Sequence, residues 1–174
     1  MTPEESRPWK IEPLSASHVV SDFACGKEPL DTWLKKHALF NQFEGISRVF
    51  VAVIPGSPVV GGYYALSSTS IAFANSPPDL VRGFPKYPLP VAHIGRLAVT
   101  APAQRQGLGE MLLFDAFEQV IKAADLIGIV ATDVLAKDEE AKAFYFKYGF
   151  RALLDNPLHL CLFLKALEKL AFNR

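Results

Sequence analysis

The sequence predicts a mixed α/β fold, a single sheet flanked by helices on both faces. Three observations carry that expectation. Two β-rich runs, Arg48–Ile54 and Val59–Ser67, flank the turn Pro55-Gly56-Ser57-Pro58 and read as a hairpin. Leu108 to about Ala124 holds apolar residues at Leu112, Leu113, Ala116, Phe117, Val120, Ile121 and Ala124, which is the helical period. After the hairpin, strand-like and helix-like stretches alternate to the end, the pattern of a sheet covered by helices.

In chain order, Trp9–Pro13 reads as a short first strand. Pro29 to about Phe43 reads as one helix, because Leu30, Trp33, Leu34, Ala38 and Leu39 share a face. The hairpin follows. Residues 69–90 contain Pro77, Pro78, Pro85, Pro88 and Pro90 and predict a long loop, with a short helix near Pro78–Gly83. Val91–Val99 is a strand, and its Gly95 suggests a bulge or a close backbone approach. The long helix comes next. Gly128–Asp133 is a strand, Asp138–Tyr148 a helix, and Gly149 a C-terminal cap. Leu153 and Leu158–Leu164 suggest closing strands, and Ala166–Ala171 a last helix.

The bulk numbers narrow the function classes. At 174 residues, 50% hydrophobic and 21% charged, the chain suits one ordered domain, taken as residues 1–174. Eighteen basic and eighteen acidic residues cancel, so contact with nucleic acid needs a local patch. No apolar run reaches the ~18 residues of a membrane span. MTPEESRPWK lacks a basic segment followed by an apolar one, so the expectation is a cytoplasmic protein without a signal peptide. Cys25 and Cys161 lie far apart without metal-ligand spacing. They read as free thiols, with no metal site.

The stretch QRQGLGEMLL (Gln104–Leu113) holds the most chemistry. Gly107 and Gly109 precede a helix, where exposed N–H groups and the helix dipole favour an anion. A nucleotide-hydrolysis loop would continue as Lys-Ser/Thr, but Glu110 and Met111 follow. A dinucleotide fingerprint needs a third glycine where Leu112 stands. An anion cradle and a plain strand-to-helix turn remain open from the loop alone.

RLAVTAPAQRQGLGEMLL resembles the acyl-CoA-binding motif of the GNAT superfamily of N-acyltransferases, with Gln104, Gly107 and Gly109 in place. The ordered segments FACGKEPLDTWL, SRVFVAV, GGYYALSS, RLAV and DEEAKAFYFKYGF extend the resemblance over roughly residues 10–165 to GNAT-type toxins of bacterial toxin–antitoxin pairs. One departure is Thr100, where such proteins often carry Asp after RLAV.

The resemblance implies a sheet of roughly six to seven strands, mostly antiparallel, with a splayed central parallel pair. It implies acetyl-CoA as co-substrate, with pantetheine on Leu97, Ala98 and Val99. The pyrophosphate would lie on the amides of Gln104, Arg105, Gln106, Gly107, Leu108, Gly109 and Glu110, and Phe144 and Tyr145 would border the coenzyme. It further implies acetylation of the α-amine of an aminoacyl-tRNA, a ribbon-helix-helix antitoxin partner, and homodimerisation as a common state. Candidate acceptor residues are Arg48, Arg82, Lys86, Arg96 and Asp133, with Lys142 a further cation.

Tyr145 occupies the family's general-acid position. A phenol near pKa ~10 stays protonated at neutral pH and can donate to a departing thiolate. The competing role is an aromatic residue covering core, as for Phe144, Phe146 and Tyr148. Keeping a lysine neutral costs about 3.5 kcal/mol more than keeping an α-amine neutral, from the gap in their pKa values. Lysine acetylation therefore benefits from a carboxylate base, and VAHIGRLAV offers none. His93 is the side chain on that strand able to take a proton, with a plain structural histidine as the alternative. Two rivals stand beside the toxin reading. One is acetylation of a small amine or a protein N-terminus; the other is a non-catalytic acyl-CoA sensor.

Overall fold

The computed structural model describes residues 8–173; Met1–Arg7, where most of the signal-peptide expectation falls, and Arg174 lie outside them. The elements are β1 (Lys10–Pro13), α1 (Glu28–Lys36), α2 (Ala38–Glu44), β2 (Arg48–Val53), β3 (Gly62–Ile71), β4 (Leu89–Val99), α3 (Leu108–Ala124), β5 (Ala131–Leu135), α4 (Glu139–Phe146), β6 (Arg151–Ala152), β7 (His159–Phe163) and α5 (Leu164–Phe172). The strands are ordered β1-β2-β3-β4-β5-β7-β6 in a seven-stranded sheet. β1–β2, β2–β3, β5–β7 and β6–β7 pair antiparallel. β4 and β5 pair parallel, from Val91↔Ala131 to Ile94↔Val134. That pairing stops at Ile94↔Val134, and β4 runs on to Val99.

The chain forms two compact units. One holds the chain up to Leu66 together with Arg96–Asp115, and the other holds Ser67–Gly95 with the chain from Ala116 onward. In the first, the apolar faces of α1 and β2 bury Leu30, Leu34, Val49 and Val51 against Phe23 and Tyr63. Trp33 stacks on Tyr63 at 5.9 Å, and Tyr63 donates its hydroxyl to the Leu30 carbonyl at 2.7 Å. The bond satisfies a buried polar group that would otherwise cost stability. In the second unit, Ile71, Val81, Leu89, Val91, Ala131 and Cys161 share a core.

Several expectations shift. The helix drawn over Pro29 to Phe43 is two helices, broken at His37, whose N–H bonds the Trp33 carbonyl. α1 buries Leu30, Trp33 and Leu34, whereas α2 buries Ala38 and leaves Phe40 and Phe43 exposed. The returning strand begins at Gly62, not Val59; Val59 instead bridges Val19. Pro78–Gly83 forms turns, closed by Leu80 N–H to Pro77 and Phe84 N–H to Val81, instead of a short helix. A 3₁₀ turn sits just before it at Phe73–Asn75. β5 starts at Ala131, three residues later than expected; Val130 N–H bonds the Pro90 carbonyl just ahead of the Val91↔Ala131 pair. Gly95 continues β4 without a bulge and marks where pairing to β5 ends.

Candidate active site

β4 ends at Val99, and a 3₁₀ turn at Ala101–Ala103 swings the chain toward α3. The Gln104 side chain is spent on this turn: its Nε2 donates to Val99 at 2.9 Å and to Cys25 at 2.8 Å. Gln104 thus acts as a brace that ties strand, loop and the segment before α1 together. Arg105 adopts φ 62° and Gly107 φ 82°. Two left-handed residues so close make the successive N–H groups converge, the geometry of an anion nest. Gly107 adopts this without Cβ strain, and a Cβ there would meet only open space.

Gln104–Gly107 are exposed, Leu108 is buried, and Gly109 and Glu110 are half-buried. At the start of α3, Met111 N–H bonds the Gly107 carbonyl. Among the described residues, the N–H groups of Arg105, Gln106, Gly107, Leu108 and Gly109 have no protein acceptor. A 17-residue helix adds its dipole to that row of donors. The loop is held from below by Gly62, which packs under Leu108 and Leu112; a Cβ there would come within 2.9 Å of Leu112. Leu97 and Val99 are half-buried and Ala98 is buried. Row and strand together fit a pyrophosphate followed by an amide-bearing chain.

Tyr145 lies on α4. Asp138 caps that helix by accepting the Ala141 N–H at 2.9 Å, and Glu139 and Glu140 in the first turn complement its dipole. Tyr145 is the buried residue of the helix, with Phe144 and Phe150 edge-on at 5.2 Å each. Phe144 also meets Tyr148 edge-on at 5.4 Å. Burial pushes the Tyr145 phenol well above its ordinary 10.0. Its hydroxyl bonds no described residue.

A second constellation is built around Asp133, of which sequence reasoning found two members singly and missed the rest. The register sets His93 of β4 beside Asp133 of β5, and Asp133 opposite Cys161 of β7. His93 Nδ1 lies 2.9 Å from Asp133 Oδ1, and His159 Nε2 lies 2.7 Å from Asp133 Oδ2. His159 Nδ1 reaches Asp155 at 3.1 Å. The Asp133 side chain is 3% exposed, so its charge is held by these donors. Burial lowers the His159 pKa, but bonds to Asp133 and Asp155 outweigh it and hold the pKa above 6.5. Among the described residues no group of three or more His, Cys, Asp or Glu could hold a metal ion. Cys25 and Cys161 are free, with thiols pushed up to about 11 by burial first.

The expected cations fall into separate places. Arg82 and Lys86 line one cavity of about 400 Å³ with Phe73, Phe84 and Ser76. In the other unit, Arg96 stacks its guanidinium over Trp33 at 4.2 Å, and Arg48 donates to the Gln42 carbonyl at 3.1 Å. Lys142 lies over the Phe146 ring at 5.2 Å. The bidentate pair of Arg151 with Asp79, at 2.7 and 3.0 Å, went unforeseen; it ties β6 to the proline-rich loop.

Residues 45–152 match the family described as acetyltransferase (GNAT) domain. The chain is 42% identical over 152 residues to a tRNA-acetylating toxin of Mycobacterium tuberculosis (strain ATCC 25618 / H37Rv), covering 87% of this chain and 90% of the relative. It is similar in structure to the toxin AtaT complexed with acetyl-methionyl-tRNAfMet, at TM-score 0.87 and 29% identity, covering 93% of this chain and 98% of that one. It is also similar to a tyrosine-to-phenylalanine AtaT mutant bound to the C-terminus of the antitoxin AtaR and acetyl-CoA. There the TM-score is 0.83 and the identity 28%, covering 97% of this chain and all (100%) of that one.

Proposed function

The chain belongs to the GNAT acetyltransferase family, and from that premise we propose that it is a toxin that moves an acetyl group from acetyl-CoA to the α-amine of an aminoacyl-tRNA. The observation that carries this reading is the 42% identity to a tRNA-acetylating toxin across 87% of the chain. The bound acetyl-methionyl-tRNA of one structural neighbour supports the acceptor, and the bound acetyl-CoA of another supports the donor. An antitoxin of the AtaR kind is the proposed protein partner. Among the described residues, no helix is long and apolar enough to cross a membrane.

The residues present fit the donor. The N–H row of Arg105–Gly109 takes the pyrophosphate, and β4 from Leu97 to Val99 offers its backbone to the pantetheine amides, as to an added strand. Acetyl-CoA supplies a thioester carbonyl that a neutral amine can attack. Tyr145 gives its proton to the departing sulfur. Its raised pKa keeps that proton in place through the physiological range. The tyrosine-to-phenylalanine mutant among the neighbours is in keeping with this role.

Induction of the gene should arrest growth, with acetylated aminoacyl-tRNA recovered from the arrested cells. Normal growth together with rapid acetylation of a polyamine would overturn the toxin reading in favour of a small-amine acetyltransferase.

A further inference from the structure

The two histidines bound to Asp133 are not equivalent. His159 has both ring nitrogens on carboxylates, Nε2 on Asp133 and Nδ1 on Asp155. With both carboxylates ionised, both nitrogens must donate, so His159 is an imidazolium held between two negative groups. His93 has one nitrogen engaged. Ionised Asp133 accepts only, so His93 donates to it from Nδ1, and Nε2 is the nitrogen left to take a further proton. Nε2 bonds no described residue, and the side chain is 29% exposed.

The backbone beside it is open as well. Gly95 lies on the same face of β4, two residues on. A Cβ on Gly95 would stand 3.6 Å from His93 Nε2, so the missing side chain leaves that nitrogen's edge uncovered. Pairing of β4 to β5 ends at Ile94↔Val134, next to this spot. His93 meets Asp133 from β5; Asp133 in turn meets His159 and lies opposite the neutral Cys161 thiol of β7, and Asp155 from the turn before β7 bonds His159. From Leu89 to Gly95 no other titratable side chain lies on β4.

We propose that His93 is the general base of the acetyl transfer, its ring oriented by Asp133 and, through Asp133, by His159. The inference rests on the acetyltransferase reading above. As the amine nitrogen bonds the acetyl carbon and the carbon–sulfur bond breaks, the amine's proton passes to His93 Nε2. The sulfur takes its proton from Tyr145, and solvent exchange resets both residues.

Single-turnover acetylation of charged tRNA over about pH 5.5–9 tests this, with the full chain and saturating acetyl-CoA. His93→Ala should lose about 100-fold or more in rate with acetyl-CoA affinity unchanged. The loss should fall on the acetyl-transfer rate and leave the charged-tRNA concentration for half-maximal rate within about threefold. Added imidazole should restore part of the variant's rate. Wild-type turnover in His93→Ala, or a loss of rate that added imidazole leaves untouched, would overturn the assignment. Gly95→Val gives a second reading should the first variant fold poorly. It should keep its melting temperature and lose at least about tenfold in kcat/KM for charged tRNA, and an unchanged kcat/KM overturns the proposal. A wild-type enzyme inert on charged tRNA would instead refute the functional reading itself.

Discussion

The loop proposed for the donor and the Asp133 constellation are built by opposite means. The loop of residues 104–109 uses backbone N–H groups and two left-handed residues, all within one short stretch of chain. The constellation uses side chains from residues 93, 133, 155 and 159, gathered by strand register. A backbone site tolerates many side chains but needs glycine. A side-chain site depends on each residue but leaves no local signature. The first suits a ligand that never changes, such as a coenzyme; the second suits a selected acceptor.

That contrast can be broken or sharpened by substitution. The largest expected effect is at the reacting centre. Tyr145→Phe should lower single-turnover rate about 100-fold or more while acetyl-CoA affinity, measured by calorimetry, stays within about threefold. Unchanged turnover would leave Tyr145 a core aromatic and would favour the sensor alternative. The parent enzyme should show no loss of rate from phenol ionisation up to about pH 10, because the neutral phenol is the active form and burial raises its pKa.

Gly107→Val should weaken acetyl-CoA binding about tenfold, since φ 82° strains any residue with a Cβ. The space around it is open, so backbone strain acts alone, and stability should fall by about 1–3 kcal/mol. If binding is unaffected, the loop is a turn and not a cradle. Gly62→Ala should act in the reverse order, on stability first. Its Cβ would press on Leu112 and Leu108, at a cost of about 1–3 kcal/mol seen in urea melts.

The smallest effects belong to charge. Arg82→Ala and Lys86→Ala should each reduce the salt dependence of charged-tRNA binding by about one unit of slope, with acetyl-CoA binding intact. His159 gives a pH signature. Its folded pKa is raised, so its contribution to stability is complete below about 6.5 and lost as pH rises through the folded pKa. The melting temperature of the parent should therefore decline slightly across that window, and that of His159→Gln should not.

The same contrast explains what the sequence disclosed. The loop around Gly107 and the helix after it were legible because one local segment makes them. Tyr145 was singled out by its setting in AFYFKYGF, and its proposed role awaits the Tyr145→Phe measurement. The break at His37 was not, because the apolar spacing from Leu30 to Leu39 continues straight across it. His93 and Asp133 were noticed singly. Their pairing needs the parallel register of β4 with β5, and His159 needs the register of β5 with β7. No spacing within the chain encodes those registers. The proline-rich loop resisted for a related reason: its anchor, Asp79 to Arg151, spans most of the second unit's sequence.

The most direct test is mass spectrometry of total charged tRNA after incubation with the protein and acetyl-CoA, with free polyamines and a peptide bearing a lysine and a free N-terminus in the same tube. The account predicts that one or more aminoacyl-tRNAs gain an acetyl group on the α-amine, while polyamine and lysine stay unmodified. Acetylated polyamine or lysine beside untouched charged tRNA would contradict it.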